Sequence, residues 1–229
     1  MDSTVPRPRR PLPASGPVGQ WYENVLGWPT VPGPPGGGAV GAGPALLVCG
    51  VRFDVLEMPS RAADGVLRRY ADGVPPGVPA APVARSGGRT WFLVAAGGAE
   101  ELPGLLEWLG WGALPEGLGL VAIGAGGRIE APRPPGWPPH GQVTRGGAAG
   151  REWDSQGAAT WLRPPEPGHA VEPTLPAPWL VPTPGAREGA PGGGGGAPDL
   201  VRLVDSAATE CLRVRLGRAC DQRWASSYA

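Results

Sequence analysis

LLVCGVRFDVLEMPSRAADGVLRRY, residues 46–70, decides how this chain folds. Together with Ala45 it opens on a continuous apolar run, Ala45-Leu46-Leu47-Val48-Cys49, which has the length and character of a buried strand. After Gly50, residues 51–58 alternate well enough to predict a second strand. That alternation sets Asp54 and Leu56 on one sheet face and Val55 and Glu57 on the other. Ser60 is placed to cap a helix running to about Tyr70, because Ala63, Val66, Leu67 and Tyr70 recur at three- and four-residue spacing and form one apolar stripe. Strands and a helix this close in sequence call for a common core.

Working outward, residues 1–17 form a Pro/Arg arm in which Pro6, Pro8, Pro11 and Pro13 oppose helix, and we expect it to be disordered. Residues 21–26 predict a short helix stopping at Gly27, residues 28–32 an extended piece, and residues 33–43 a loop. Downstream, the Pro-rich residues 74–82 end the Ser60 helix. Residues 83–85 and 90–95 then flank Ser86-Gly87-Gly88-Arg89 as a hairpin whose glycines supply positive φ. Glu100-Glu101-Leu102-Pro103 reads as a helix start with proline in the first turn, and Leu102, Leu105, Leu106 and Leu109 line one face. Residues 118–123 and 128–131 are strands spaced like a hairpin around residues 124–127, and residues 160–163 are the last strand-like piece. A flexible Pro/Gly linker follows. Beyond it Asp199 caps an amphipathic helix carrying Leu200, Leu203, Val204, Ala207, Cys211 and Val214 on one stripe that needs a partner. The expected organisation is an arm over 1–17, a folded domain over 18–166, a linker over 167–198, a helix over 199–219 and a tail over 220–229.

Composition agrees with a folded core between unstructured margins. The 229 residues include 40 glycines and 32 prolines, a low-complexity share, yet 41% are hydrophobic, ten are tryptophan and the formal net charge is zero. All 20 basic residues are arginine, a bias that GC-rich codons produce unaided, so arginine counts carry no functional weight. Zero net charge removes the simplest case for nucleic-acid binding and leaves only a local basic patch. Cys49, Cys211 and Cys220 make no CxxC pair and have only His140 and His169 to join them, which supports neither a zinc knuckle nor a disulfide framework. No segment approaches the ~18 apolar residues of a membrane span, so we expect a cytoplasmic protein without membrane partners.

Several motifs read better as structure than as chemistry. Gly41-Ala42-Gly43 and Gly124-Ala125-Gly126 do not sit between a strand and a helix, as a dinucleotide fingerprint must. Ser86 lies in a loosened nucleophile-elbow pattern but is followed by a strand-like run, Trp91-Phe92-Leu93-Val94, where that motif needs a helix. Trp91, Trp108 and Trp111 would stack bases if exposed, but beside leucines at helical spacing they read as core. Asp54, Glu57 and Glu130 are the carboxylates of interest, because acids at strand ends can hold Mg²⁺ against a triphosphate.

Five phrases, GWPTVPG, LLVCGVRFDVLEMP, SGGRTWFLVA, GLVAIGAGGRIEAP and TWLRPP, follow in order between residues 27 and 165, within a resemblance that covers about residues 20–166. In that order and spacing the chain resembles the N-terminal domain of bifunctional DNA primase/polymerases, of the archaeo-eukaryotic primase superfamily, in a degenerate short form found in actinobacteria. The resemblance implies an α+β fold: a single primase/polymerase-like domain whose mixed or antiparallel sheet is flanked by helices. It also implies a metal site built from an Asp-x-Asp or Asp-x-Glu pair, a Ser-Gly-Gly-x-His turn and a later acidic strand. Carried across, the acidic pair falls on Glu57 and Pro59, the histidine on Thr90 and the third acid on Val121, while the turn keeps Ser86, Gly87, Gly88 and Arg89. Glu57 alone survives as a metal ligand, and Asp54 compensates only in a different register. The resemblance therefore implies a catalytically degenerate module that is regulatory or binds a nucleotide or DNA, with Ser86, Gly87, Gly88 and Arg89 as the binding residues. Two alternatives stand beside it: an active template-dependent nucleotidyltransferase using Mg²⁺ or Mn²⁺ through displaced ligands, and a scaffold whose Pro-rich segments bind proteins.

Overall fold

The strand-turn-strand-helix unit of residues 45–70 is present in the computed structural model, which describes residues 16–34, 44–71, 81–112, 117–137, 159–166, 170–178 and 199–227. Its strands are β1 (Thr30–Pro32), β2 (Ala45–Val48), β3 (Asp54–Pro59), β4 (Val83–Ser86), β5 (Arg89–Val94), β6 (Val121–Ile123), β7 (Arg128–Glu130) and β8 (Thr160–Arg163). Its α-helices are α1 (Gly16–Trp21), α2 (Ser60–Ala71), α3 (Gly98–Trp108) and α4 (Asp199–Ser227), and α1 continues as a π-helical turn, Tyr22–Leu26. The fold is α+β, and every strand pairing is antiparallel. A three-stranded sheet has the order β1-β2-β7, and a five-stranded sheet has the order β6-β3-β5-β4-β8.

The alternation in β3 sorts side chains as its sequence predicts. Leu56 and Met58 join Val83, Phe92 and Val94 on one face, against Val66 of α2, Leu102 of α3 and Leu200, Leu203, Val204 and Ala207 of α4. Val55, Ala84 and Leu93 turn to the opposite face, where Leu47 of β2 and Ile129 of β7 cover them together with Tyr22, Trp28 and Phe53. The molecule is thus layered: helices, five-stranded sheet, three-stranded sheet. Tyr22 ties the outer pieces together, its hydroxyl donating to Pro132 O at 2.7 Å and accepting from Trp161 Nε1 at 2.9 Å.

Several boundaries differ from the sequence expectations, each for a local reason. β3 begins at Asp54 because Gly50 N–H bonds back to Phe53 O at 2.9 Å and closes a turn over the residues expected to be strand. β6 and β7 are no hairpin: β6 pairs with β3 in one sheet and β7 with β2 in the other, so residues 124–127 carry the chain between sheets. α3 starts at Gly98, ahead of the expected acidic residues, because Asp54 Oδ2 accepts the Ala99 N–H at 3.0 Å, and Pro103 consequently lies inside the helix. Within the expected linker, residues 170–178 pack on the domain: Val171 and Leu175 are buried and Pro176 O accepts the Ala95 N–H at 2.9 Å. α4 runs to Ser227, through the region expected to be tail. Helix α1 also takes in Gly16 and Pro17 of the expected arm. The rest of the arm, most of the loop at 33–43 and the linker residues 167–169 and 179–198 lie outside the described residues. No helix among the described residues is long and apolar enough to cross a membrane.

Candidate functional site

The site follows from the register of β3 with its neighbours. Glu57 lies opposite Trp91 on β5 and opposite Val121 on β6, and Pro59 lies opposite Arg89. Period-two alternation therefore gathers Glu57, Pro59, Val121, Arg89 and Trp91 on one sheet face. At its centre is a closed arrangement. Glu57 Oε1 accepts from Arg89 Nε at 2.8 Å and forms an ion pair with Nη2 at 2.7 Å, and Glu57 Oε2 accepts from Trp91 Nε1 at 2.8 Å. Arg89 Nη2 also donates to Gly119 O at 2.7 Å, which fastens the segment entering β6. Both charged side chains are largely covered, at 21% and 31% exposure. Two guanidinium nitrogens thus converge on the one oxygen Oε1, a charge-assisted contact that competes with a metal for it, while Oε2 serves the indole.

Thr90 is turned the other way. It pairs with Met58, is fully buried and faces the helices, where its hydroxyl donates to Ser60 Oγ at 3.0 Å and accepts from Arg85 Nε at 3.2 Å. Arg85 also pairs with Asp64 of α2. Ser60 thus meets Thr90 at the first residue of α2. Asp54 is likewise on the helical face, opposite Val94, almost wholly buried and committed through Oδ2 to the first turn of α3. The sheet separates it from the face of Glu57.

Residues 86–89 form the expected hairpin turn, with φ of 52° at Gly87 and 83° at Gly88, a pair of left-handed conformations that glycine adopts without strain. Gly87 and Gly88 are exposed, Ser86 is half-buried, and Gly88 O accepts the Ser60 N–H at 2.9 Å, so the tip sits against the start of α2 beside exposed Arg61. Glu130 belongs to the other sheet, opposite Leu46, and is not brought to the site. Of the tryptophans expected in the core, Trp91 is buried, Trp111 donates from Nε1 to Asp205 at 3.0 Å, and Trp108 is 73% exposed because it faces away from the leucine stripe of α3. Among the described residues no group of three or more His, Cys, Asp or Glu side chains is placed to hold a metal ion.

Two thiols near these elements are held protonated. Burial pushes Cys211 on α4 up to about 11, opposed by the Arg89 charge and reinforced by Glu210. Burial, and then the Asp54 charge, push Cys49 up to about 12. The Glu57–Arg89–Trp91 cluster itself escapes a reading of residue types in order, since its members lie up to 34 positions apart. The usable signal was the pairing register, which would have set Glu57 across from Trp91. No family model, no curated protein and no solved structure matches this chain.

Proposed function

We propose that this chain is a non-catalytic module of primase/polymerase-like type, one that engages a phosphate-bearing ligand, a nucleotide or DNA, at the turn of residues 86–89 without turning it over. One observation carries the reading: both oxygens of Glu57 are already taken by Arg89 and Trp91. The other positions that share its face bring no help, because Pro59 and Val121 have no side-chain oxygen. Phosphoryl transfer assisted by two metals needs several convergent carboxylates to neutralise the triphosphate, and an arginine-paired glutamate supplies none. The exposed Gly87 and Gly88 support the ligand part of the reading, because the backbone of such a turn is open to an anion and carries no group that would activate it.

Primer extension and equilibrium binding, run on the same preparation, test this. Expected are no nucleotide incorporation with Mg²⁺ or Mn²⁺, and binding of a labelled oligonucleotide or nucleoside triphosphate that needs no metal and weakens with salt. Metal-dependent incorporation abolished by Glu57→Ala or Asp54→Ala would overturn the non-catalytic part. Absence of any binding would overturn the ligand.

A further inference from the structure

A cleft of about 180 Å³ opens where the chain leaves β8. Its floor is apolar, with Pro82, Pro165 and Val171 all buried. One wall is the 3₁₀ turn Glu172–Thr174, and it is fastened to the domain. Thr174 Oγ1 donates to Val171 O at 2.8 Å, Arg52 pairs with Glu172 at 3.7 Å, and Pro176 O accepts the Ala95 N–H at 2.9 Å. Pro164 and Pro165 line the cleft as well, and two consecutive prolines keep their segment extended. Arg163 and Glu166 stand at the two ends of that segment, and both line the cleft.

These two charges are uncommitted. Arg163 is half-buried, yet the single hydrogen bond of its guanidinium among the described residues, from Nη1 to Ala81 O, is long at 3.4 Å. Among the described residues neither Arg163 nor Glu166 belongs to an ion pair, with each other or with a third group. A cation and an anion left unpaired beside one apolar floor call for a ligand that carries both charges and an apolar body. A plain anion would be repelled by Glu166, and a plain cation by Arg163. At ~30 Å³ per water the volume is that of about six waters, which suits a small aliphatic side chain and leaves no room for an indole.

We propose that the cleft binds a free α-amino acid with a small aliphatic side chain, such as valine. Arg163 takes the carboxylate through its uncommitted donors, and Glu166 accepts from the ammonium. The side chain displaces water from Pro82, Pro165 and Val171. This cleft is separate from the turn at residues 86–89: β4 starts beside it at Val83, opposite Arg163, and reaches the turn only at Ser86. Valine binding therefore needs no ligand at that turn.

Isothermal titration calorimetry of the full chain with L-valine tests the site, and saturable binding is expected with a Kd of about 1 mM or below. Isovalerate lacks the ammonium and isobutylamine lacks the carboxylate, so each should bind about tenfold or more weakly than valine. Arg163→Gln should lose valine binding. Glu166→Gln, at an exposed position that tolerates substitution, should also lose it and should bind isovalerate more tightly than the unaltered chain does. Circular dichroism checks that each variant is folded, and Glu166→Gln decides the matter where Arg163→Gln is not. Absence of valine binding, isovalerate bound as tightly as valine, or valine binding unchanged in either folded variant would each overturn the proposal.

Discussion

Gly65 of α2 and Glu210 of α4 are packed so closely that a Cβ built on Gly65 falls within the van der Waals surface of the Glu210 carboxylate. Glu210 cannot easily give way: it is 7% exposed and held by Arg213 at 2.7 Å and Arg69 at 3.5 Å. Ala62, Ala63 and Gly65 on α2 and Ala207 on α4 are all buried, and such small side chains let the two helices approach.

Gly65→Ala should therefore destabilise despite the ~1 kcal/mol that alanine gains in helix propensity, because overpacking costs roughly 1–3 kcal/mol. With Glu210→Ala present the clash is gone, and the same substitution should become stabilising. Urea denaturation of the four proteins in the cycle checks the reversal of sign.

Glu57→Ala should cost about 1–3 kcal/mol, because it leaves the Arg89 guanidinium and the Trp91 indole N–H without their acceptor in a largely covered place. Glu57→Gln should cost less, since one amide oxygen can still accept from Trp91. Thermal melts rank the two, and a neutral Glu57→Ala would mean that solvent screens the cluster as it does an open surface pair.

Asp54→Ala removes the acceptor that holds the Ala99 N–H and should cost about 0.5–2 kcal/mol, the range of a lost helix cap. Asp54→Asn keeps the acceptor and should retain most of the stability. Hydrogen exchange at the first amides of α3 would localise the loss.

Stability should fall on the alkaline side. The Cys49 and Cys211 thiols are raised from 9.0 to about 12 and about 11, with burial the leading cause. Tyr22 moves in the same direction, since burial outweighs its hydrogen bond with Trp161. The unfolded chain releases these protons first, so the stabilisation is complete below 9.0 and is lost as the pH climbs through 11 to 12. Denaturation midpoints at about pH 8 and about pH 10.5 should differ, and less so in Cys49→Ala.

What was legible in the sequence was local. The alternation of β3, the apolar stripe of α2 and the Gly87-Gly88 turn depend on neighbours a few residues away, and each has the predicted form. The failures depend on distant partners. Nothing near residues 124–127 indicates that β6 and β7 leave for different sheets, because the deciding pairs, Leu56 with Ala122 and Leu47 with Ile129, lie more than 60 positions apart. Pro103 looks like a helix start until Asp54, 45 positions before Ala99, supplies an earlier cap. For the site the residue types were read in order, but their facing was not. Glu57 and Arg89 share a face, whereas Thr90 and Asp54 are turned to the other.

The chain passes from one sheet to the other at residues 49–53 and again at residues 124–127, and the two crossings touch. Cys49 N–H bonds to Gly127 O at 3.0 Å, and Gly50, at φ 85°, lies so near the Ala125 backbone that a Cβ there would overlap it. Such a junction works as a rivet. Neither sheet can swing or peel from its partner without tearing both crossings at once, so the layers have no hinge between them and should come apart in a single cooperative transition. The amides of Leu47 in one sheet and Val55 in the other should then report the same opening free energy.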